Sequence, residues 1–199
     1  MNKKKIHEFF KRLNTNLDER ATVIVVGASA GSLMGHVRPS FDIDFEFRLA
    51  KNTPAKKKSA SAAILKTAQE TGVAVNFSEN IGGWSMINYL NYRKTAVPYR
   101  LFGKLDVRLI EPAYWTIGKM TRFLELDIQD MVKIIRKKKI KHETLIGIWA
   151  QAFRSSDLSL ELGQFKDHVL FFLKQYGKKI WGKKIKAAEL KESFLKQIE

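Results

Sequence analysis

Residues 41–49, FDIDFEFRL, alternate strictly between apolar and charged side chains, and no other stretch limits the fold so tightly. Successive side chains of a β-strand point to opposite faces. Phe41, Ile43, Phe45 and Phe47 therefore fall on one face, and Asp42, Asp44 and Glu46 on the other. A helix would scatter both sets. The segment predicts a strand in a sheet with one buried face, and it lines up three acids in a chain that carries 36 Lys+Arg against 20 Asp+Glu, a net charge of +16. Like charges so close need a counter-ion or a partner.

The flanking segments supply the rest of an α/β pattern. KKIHEFFKRLNTNLD spaces Ile6, Phe9, Phe10 and Leu13 as one face of an opening helix. ATVIVVG is short, β-branched and closed by glycine, which predicts a buried strand. After a polar loop, NTPAKKKS, a helix over ASAAILKTAQETG stops at glycine and VAVNF forms another strand. WSMINYLNY, VPYRLFG and LDVRLIEP predict two or three antiparallel strands, with Gly103 at a turn and Asp106 opposing Leu105, Val107 and Leu109. Beyond Pro112 the apolar spacing is helical throughout, so the tail reads as a small basic bundle. The expectation is α/β (α+β): a mixed sheet flanked by helices over residues 1–135, then a basic helical bundle over 136–199.

A chain of 199 residues with 45% hydrophobic content can bury a full core. No apolar run approaches the roughly 18 residues of a membrane span, and MNKKKIHEFFKRLNTN lacks the apolar core of a signal peptide, so a cytoplasmic protein with no membrane partner is expected. The absence of cysteine removes thiolate metal sites and thiol nucleophiles, and His7, His36, His142 and His168 form no ligand-spaced pair. The positive charge points to a polyanion, either nucleic acid or nucleotide or an anionic membrane face, or else to a lysine-rich composition that serves only solubility. RKKKIKH, residues 136–142, can grip RNA phosphates or simply face solvent. Trp84, Trp115, Trp149 and Trp181 read as packing residues.

Chemistry is concentrated in residues 25–47. Gly27, Ala28, Ser29, Ala30, Gly31 and Ser32 have little side-chain bulk, so their N–H groups and two hydroxyls can cradle a triphosphate. Asp42 and Asp44 project the same way and can grip Mg²⁺, a hard cation that takes one or two carboxylates plus phosphate oxygens. Two ions about 3.5 to 4 Å apart would stabilise both oxygens of an in-line phosphoryl displacement. Asp106 is the candidate third carboxylate. The competing reading makes these acids the solvent face of an edge strand and the glycines an ordinary strand-to-helix turn. GASAGS has neither the GxGxxG spacing nor a following GKS or GKT, so dinucleotide and Walker sites fit worse. His36, near the turn, is within approach of a nucleotide or is structural.

This arrangement resembles the DNA polymerase β-like nucleotidyltransferases, whose signature is a Gly-Gly or Gly-Ser turn followed by Asp-hydrophobic-Asp. The fuller stretch, Gly27-Ala28-Ser29-Ala30 followed by Arg38, Ser40, Asp42 and Asp44, is similar to the AbiEii-type toxin branch. That branch carries a downstream lysine helix with an Asp-x-x-Asp, and Lys119, Arg122, Asp127 and Asp130 in GKMTRFLELDIQD are similar to it. Ala28 stands where a second glycine is usual, which leaves open whether Gly27 with Ser29 or Gly31 with Ser32 forms the phosphate turn. The resemblance covers about residues 20–135 and leaves the basic tail outside it.

The resemblance implies Mg²⁺- or Mn²⁺-dependent transfer of a nucleoside monophosphate from ATP or another NTP to an acceptor. Asp42, Asp44 and Asp106 would hold metal, and Asp106 would assist loss of the acceptor proton. Lys119 and Arg122, three apart on one helical face, would contact triphosphate or acceptor, or else form a solvated basic stripe, and Asp130 and Asp127 would position the lysine or favour a helix N-terminus. RNA, notably tRNA, is the acceptor that family and charge suggest together, in a toxin–antitoxin or phage-defence setting with a cognate antitoxin protein. The alternative is a catalytically degenerate nucleotidyltransferase fold that binds RNA or a partner protein.

Overall fold

A computed structural model of the chain describes residues 1–35 and 38–199. The expectation for His36 lies outside the described residues. The chain is α+β and divides into two compact units, Met1–Ile81 with Arg93–Ile110, and Gly82–Tyr92 with Glu111–Glu199. The boundary expected after residue 135 instead falls inside a helix, Glu125–Lys137.

The first unit is built on a five-stranded mixed sheet in the order β3-β2-β1-β5-β4. Its strands are β1 (Ala21–Val25), β2 (Asp42–Leu49), β3 (Ala74–Ser78), β4 (Val97–Phe102) and β5 (Leu105–Leu109). β1 runs antiparallel to β2 and parallel to β5, β2 is parallel to β3, and β4 and β5 form an antiparallel hairpin. Gly103 turns that hairpin at φ +60, in the left-handed region that glycine enters without steric cost.

Three helices belong to this unit: α1 (Lys3–Asn16), α2 (Gly27–Leu33) and α3 (Pro54–Thr71). α1 buries the expected stripe of Ile6, Phe9, Phe10 and Leu13. Phe9 and Phe10 each meet Phe45 at 6.1 Å between ring centroids, and Phe45 stacks on Phe77 at 5.8 Å. Each such side chain contributes about 1.5–3 kcal/mol by leaving water. The apolar face of β2 is thus the core face.

Several local expectations change. The small-residue turn expected over residues 27–32 is instead part of the helix α2, where alanine is the best helix former and the Ser29 hydroxyl donates to the Val26 carbonyl at 3.0 Å. α3 starts at Pro54, not at residue 60, because the Thr53 side chain caps it by accepting from the Lys56 N–H and proline suits the first helical turn. Phe41 lies outside β2 and is 91% exposed, so the core-facing row is Ile43, Phe45 and Phe47. WSMINYLNY forms no strand: a 3₁₀ turn over Ile81–Trp84 and the short α4 (Tyr92–Thr95) bracket irregular chain. Asn88 stabilises that irregular run by donating from its side chain to the Ser155 carbonyl, while its own N–H donates to the Ser156 hydroxyl.

The second unit contains α5 (Pro112–Arg122), α6 (Glu125–Lys137), α7 (His142–Arg154), α8 (Leu160–Trp181) and α9 (Ala187–Ile198). The all-helical expectation beyond Pro112 holds. Trp149, Phe165, Phe172 and Phe194 are buried in it, and the Trp149 indole donates to the Thr116 hydroxyl at 2.8 Å. No helix among the described residues is long and apolar enough to cross a membrane.

Candidate active site

β1 ends at the chain reversal that begins α2, and the Val26 N–H donates to the Asp44 carbonyl at 2.9 Å, which ties that reversal to the start of β2. Gly27 follows at φ +59. A Cβ there would stand 2.0 Å from Asp44 Oδ2, so the carboxylate of Asp44 occupies the space a side chain would need. Only glycine satisfies both the backbone angle and the contact. Between the two possible turns left open by the sequence, Gly27 is therefore the one against an aspartate; Gly31 is buried within α2.

Asp42 and Asp44 lie two apart on β2 and share its polar face, each half-buried, while Ile43 and Phe45 beside them point into the core. The Ser40 hydroxyl donates to the Asp42 carbonyl at 2.6 Å and reaches Asp42 Oδ1 at 3.2 Å, which fixes the approach to the strand. In the parallel β2–β3 register Asp44 faces Asn76, whose amide donates to Asp44 Oδ1 at 3.4 Å. Asn76 was not anticipated. Its only signal is an amide placed in an otherwise apolar strand run, which becomes meaningful once the pairing is known. Arg38 precedes this group in the chain and is half-buried; Ser29 is fully buried with its hydroxyl used inside α2, and Ser32 lies on α2.

Asp106 does not join the pair. β1 carries Thr22 opposite Asp106, whereas Asp44 lies at the level of Val26. Four residues separate those levels, roughly 13 Å along the strands at about 3.3 Å per residue, with roughly 10 Å more across two strand spacings. The parity of the face is as expected and the position along it is not. Asp106 instead accepts from Arg108 Nε at 2.8 Å. Among the described residues no group of three or more His, Cys, Asp or Glu side chains gathers to hold a metal.

Glu46, the third acid of the alternation, is not on a solvent face. It is fully buried, accepts from Arg93 Nε at 2.6 Å and Nη2 at 3.0 Å, and also accepts from the Ile81 N–H. A bidentate guanidinium makes this buried carboxylate a structural anchor of the sheet.

The second group of expected site residues lies wholly in the second unit. Lys119 Nζ donates to Asp127 Oδ1 at 2.6 Å and to Asp130 Oδ2 at 2.9 Å. The lysine side chain is only 2% exposed, and its ammonium also lies 5.1 Å from the Trp115 ring centroid. Arg122, 55% exposed, closes the network by donating from Nη2 to Asp127 Oδ1 at 2.9 Å. The Asp-x-x-Asp therefore does position the lysine. Arg122 alone of the four presents its side chain largely to solvent.

As a donor set, Asp42 and Asp44 suit one hard cation: two carboxylates on one strand face, with the remaining positions open to phosphate oxygens and water. The described residues do not assemble the third carboxylate that a symmetric two-ion clamp requires. Comparison of the chain with family models, with curated proteins and with solved structures finds no match.

Proposed function

We propose that the chain is a metal-dependent nucleotidyltransferase of the DNA polymerase β-like kind, moving a nucleoside monophosphate from an NTP to an RNA acceptor. The observation that carries this reading is the seat of Asp44 against Gly27, which sets a side-chain-free backbone beside the Asp42–Asp44 pair. A strand-borne carboxylate pair next to such a backbone is what a metal-bound triphosphate needs on its two sides.

Asp42 and Asp44 would hold a Mg²⁺ or Mn²⁺ ion, which would supply positive charge to the triphosphate and its leaving pyrophosphate. Ser40 and Asn76 keep the two carboxylates from turning away. In the transfer an acceptor oxygen bonds to the α-phosphorus as the bond to pyrophosphate breaks, and the acceptor proton passes to the carboxylate pair. A cytoplasmic toxin of a toxin–antitoxin or phage-defence pair, restrained by a cognate antitoxin protein, is the setting that the sequence resemblance supports.

The test is transfer of label from α-labelled NTPs, with Mg²⁺ and then Mn²⁺, to total RNA, protein and metabolite pools. Label on RNA that vanishes in Asp42→Asn/Asp44→Asn supports the reading; no label in any pool removes it. The displaced Asp106 favours one competing reading, a non-catalytic relative that binds RNA or protein. It would give RNA binding that is unchanged in the same double variant and no labelling.

A further inference from the structure

The first unit carries a second basic feature that the sequence does not single out. α1 and β4 together line a groove of about 900 Å³ whose cations are Lys3, Lys4, Lys11 and Arg100, with Arg12 and His7 beside them and Glu8 as the one acid. Arg12 is neutralised by Glu70 at 2.5 Å. Two of the other cations are held differently. Lys3 Nζ lies 5.8 Å from the Tyr99 ring centroid and the Arg100 guanidinium 5.2 Å from that of Phe102. An aromatic ring orients a cation without cancelling its charge. Lys3, Lys4, Lys11 and Arg100 are all exposed, and none forms an ion pair with a carboxylate among the described residues.

Of the residues lining the groove, His7 is the one that ties it to the rings beneath. His7 packs against Tyr99 at 5.7 Å and Phe102 at 5.8 Å between centroids, and His7 Nε2 and the Tyr99 hydroxyl are 2.6 Å apart. Burial, then Arg100, Lys3 and Lys11, hold the His7 pKa below its ordinary 6.5, so the imidazole registers the positive field of the groove.

We propose that this α1–β4 groove binds the phosphate backbone of single-stranded RNA. Lys3 and Lys11 are eight residues apart on α1, roughly 12 Å along the helix axis. That spread matches a chain of phosphates better than a single one. A positively charged groove that follows the backbone is how single strands are tracked without sequence preference. A membrane surface fits less well, because the apolar face of α1 (Ile6, Phe9, Phe10, Leu13) is spent in the core and offers nothing to insert into lipid. The site stands apart from the proposed transfer chemistry, since none of its residues belongs to the Asp42–Asp44 group.

The experiment measures anisotropy of a fluorescein-labelled oligouridylate against the full chain over a range of salt. Lys3→Gln/Lys11→Gln/Arg100→Gln should weaken binding at least about tenfold and flatten the log–log salt slope by roughly 2, at about 0.7 per cation removed. Lys137→Gln/Lys138→Gln/Lys139→Gln removes the same charge from α6 and the residues just after it and should do much less. The His7 imidazole, followed by NMR, should show its pKa rise when RNA is added. Equal weakening by both lysine sets, or a His7 pKa that RNA does not move, overturns the proposal. So does loss of binding to phosphatidylserine vesicles with RNA binding intact. Melting of each variant checks that the fold is retained, and the His7 shift tests the site in the unmutated chain.

Discussion

Asp44 rests its carboxylate where a Gly27 side chain would be, 2.0 Å from the position of an added Cβ, with Gly27 itself at φ +59. Gly72 closes α3 at a similar angle, φ +60, with nothing within 4 Å. The two glycines separate backbone strain from loss of space. Gly72→Ala should cost about 1 kcal/mol from the left-handed conformation alone. Gly27→Ala should cost more than that in thermal melts, by about 1–3 kcal/mol for overpacking, and should abolish label transfer by displacing Asp44. Equal melting losses for the two variants would refute the role given to the Gly27–Asp44 contact.

The positions of the acidic residues along the sheet give a sharper test of the site. Asp42→Asn and Asp44→Asn should each reduce label transfer at least about a hundredfold, the scale expected when a few kcal/mol of transition-state stabilisation is lost. Asp106→Asn should leave transfer within about threefold of wild type and change stability by less than about 1 kcal/mol, since its pair with Arg108 is partly exposed. Single-turnover rates on the three variants check this. A loss with Asp106→Asn as deep as that with Asp44→Asn would mean that the site is not where β1 and β2 place it.

Lys119 should behave first as part of a buried network. Lys119→Ala leaves Asp127 and Asp130 buried without their ammonium, and urea melts should show a loss of about 3–5 kcal/mol. Lys119→Met combined with Asp127→Asn and Asp130→Asn removes the charges together and should recover most of it. If Lys119→Ala melts like the wild type, the network contributes nothing to the second unit.

Two groups give acid sensitivity of definite sign. Arg12 and Asn16 hold the Glu70 carboxyl down to about 2, below the usual 4.5. Its contribution is therefore present above pH 4.5 and is lost as pH falls toward 2. His7 is held below 6.5, chiefly by burial, so the folded state resists its protonation and stability declines as pH drops below 6.5. Arg12→Met should flatten the melting-temperature profile in the lower window and His7→Gln in the upper one. Unchanged profiles would show that neither group titrates differently on folding.

The sequence alone determined what depends on neighbours along the chain. Alternation over residues 42–47 set a strand and its two faces, the stripe Ile6, Phe9, Phe10 and Leu13 set α1, and the loss of alternation after Pro112 set a helical second part, because period and side-chain direction are local properties of the backbone. The pairing of Asp42 with Asp44 on one face followed from the same period. What the sequence could not carry was position along a strand and partners distant in the chain. Asp106 has the right parity and the wrong level, since inter-strand register is fixed by hydrogen bonds between segments eighty residues apart. Glu46 reads as a surface acid until Arg93, forty-seven residues on, buries it in a bidentate pair. The pairing of Lys119 with Asp127 and Asp130 is implied by the family resemblance alone, until the packing of α5 against α6 makes it a buried contact. Gly27 reads as one of several small residues in a turn until the chain reversal brings Asp44 against its α-carbon. Tertiary packing decided these four because each depends on a distance that no local pattern encodes.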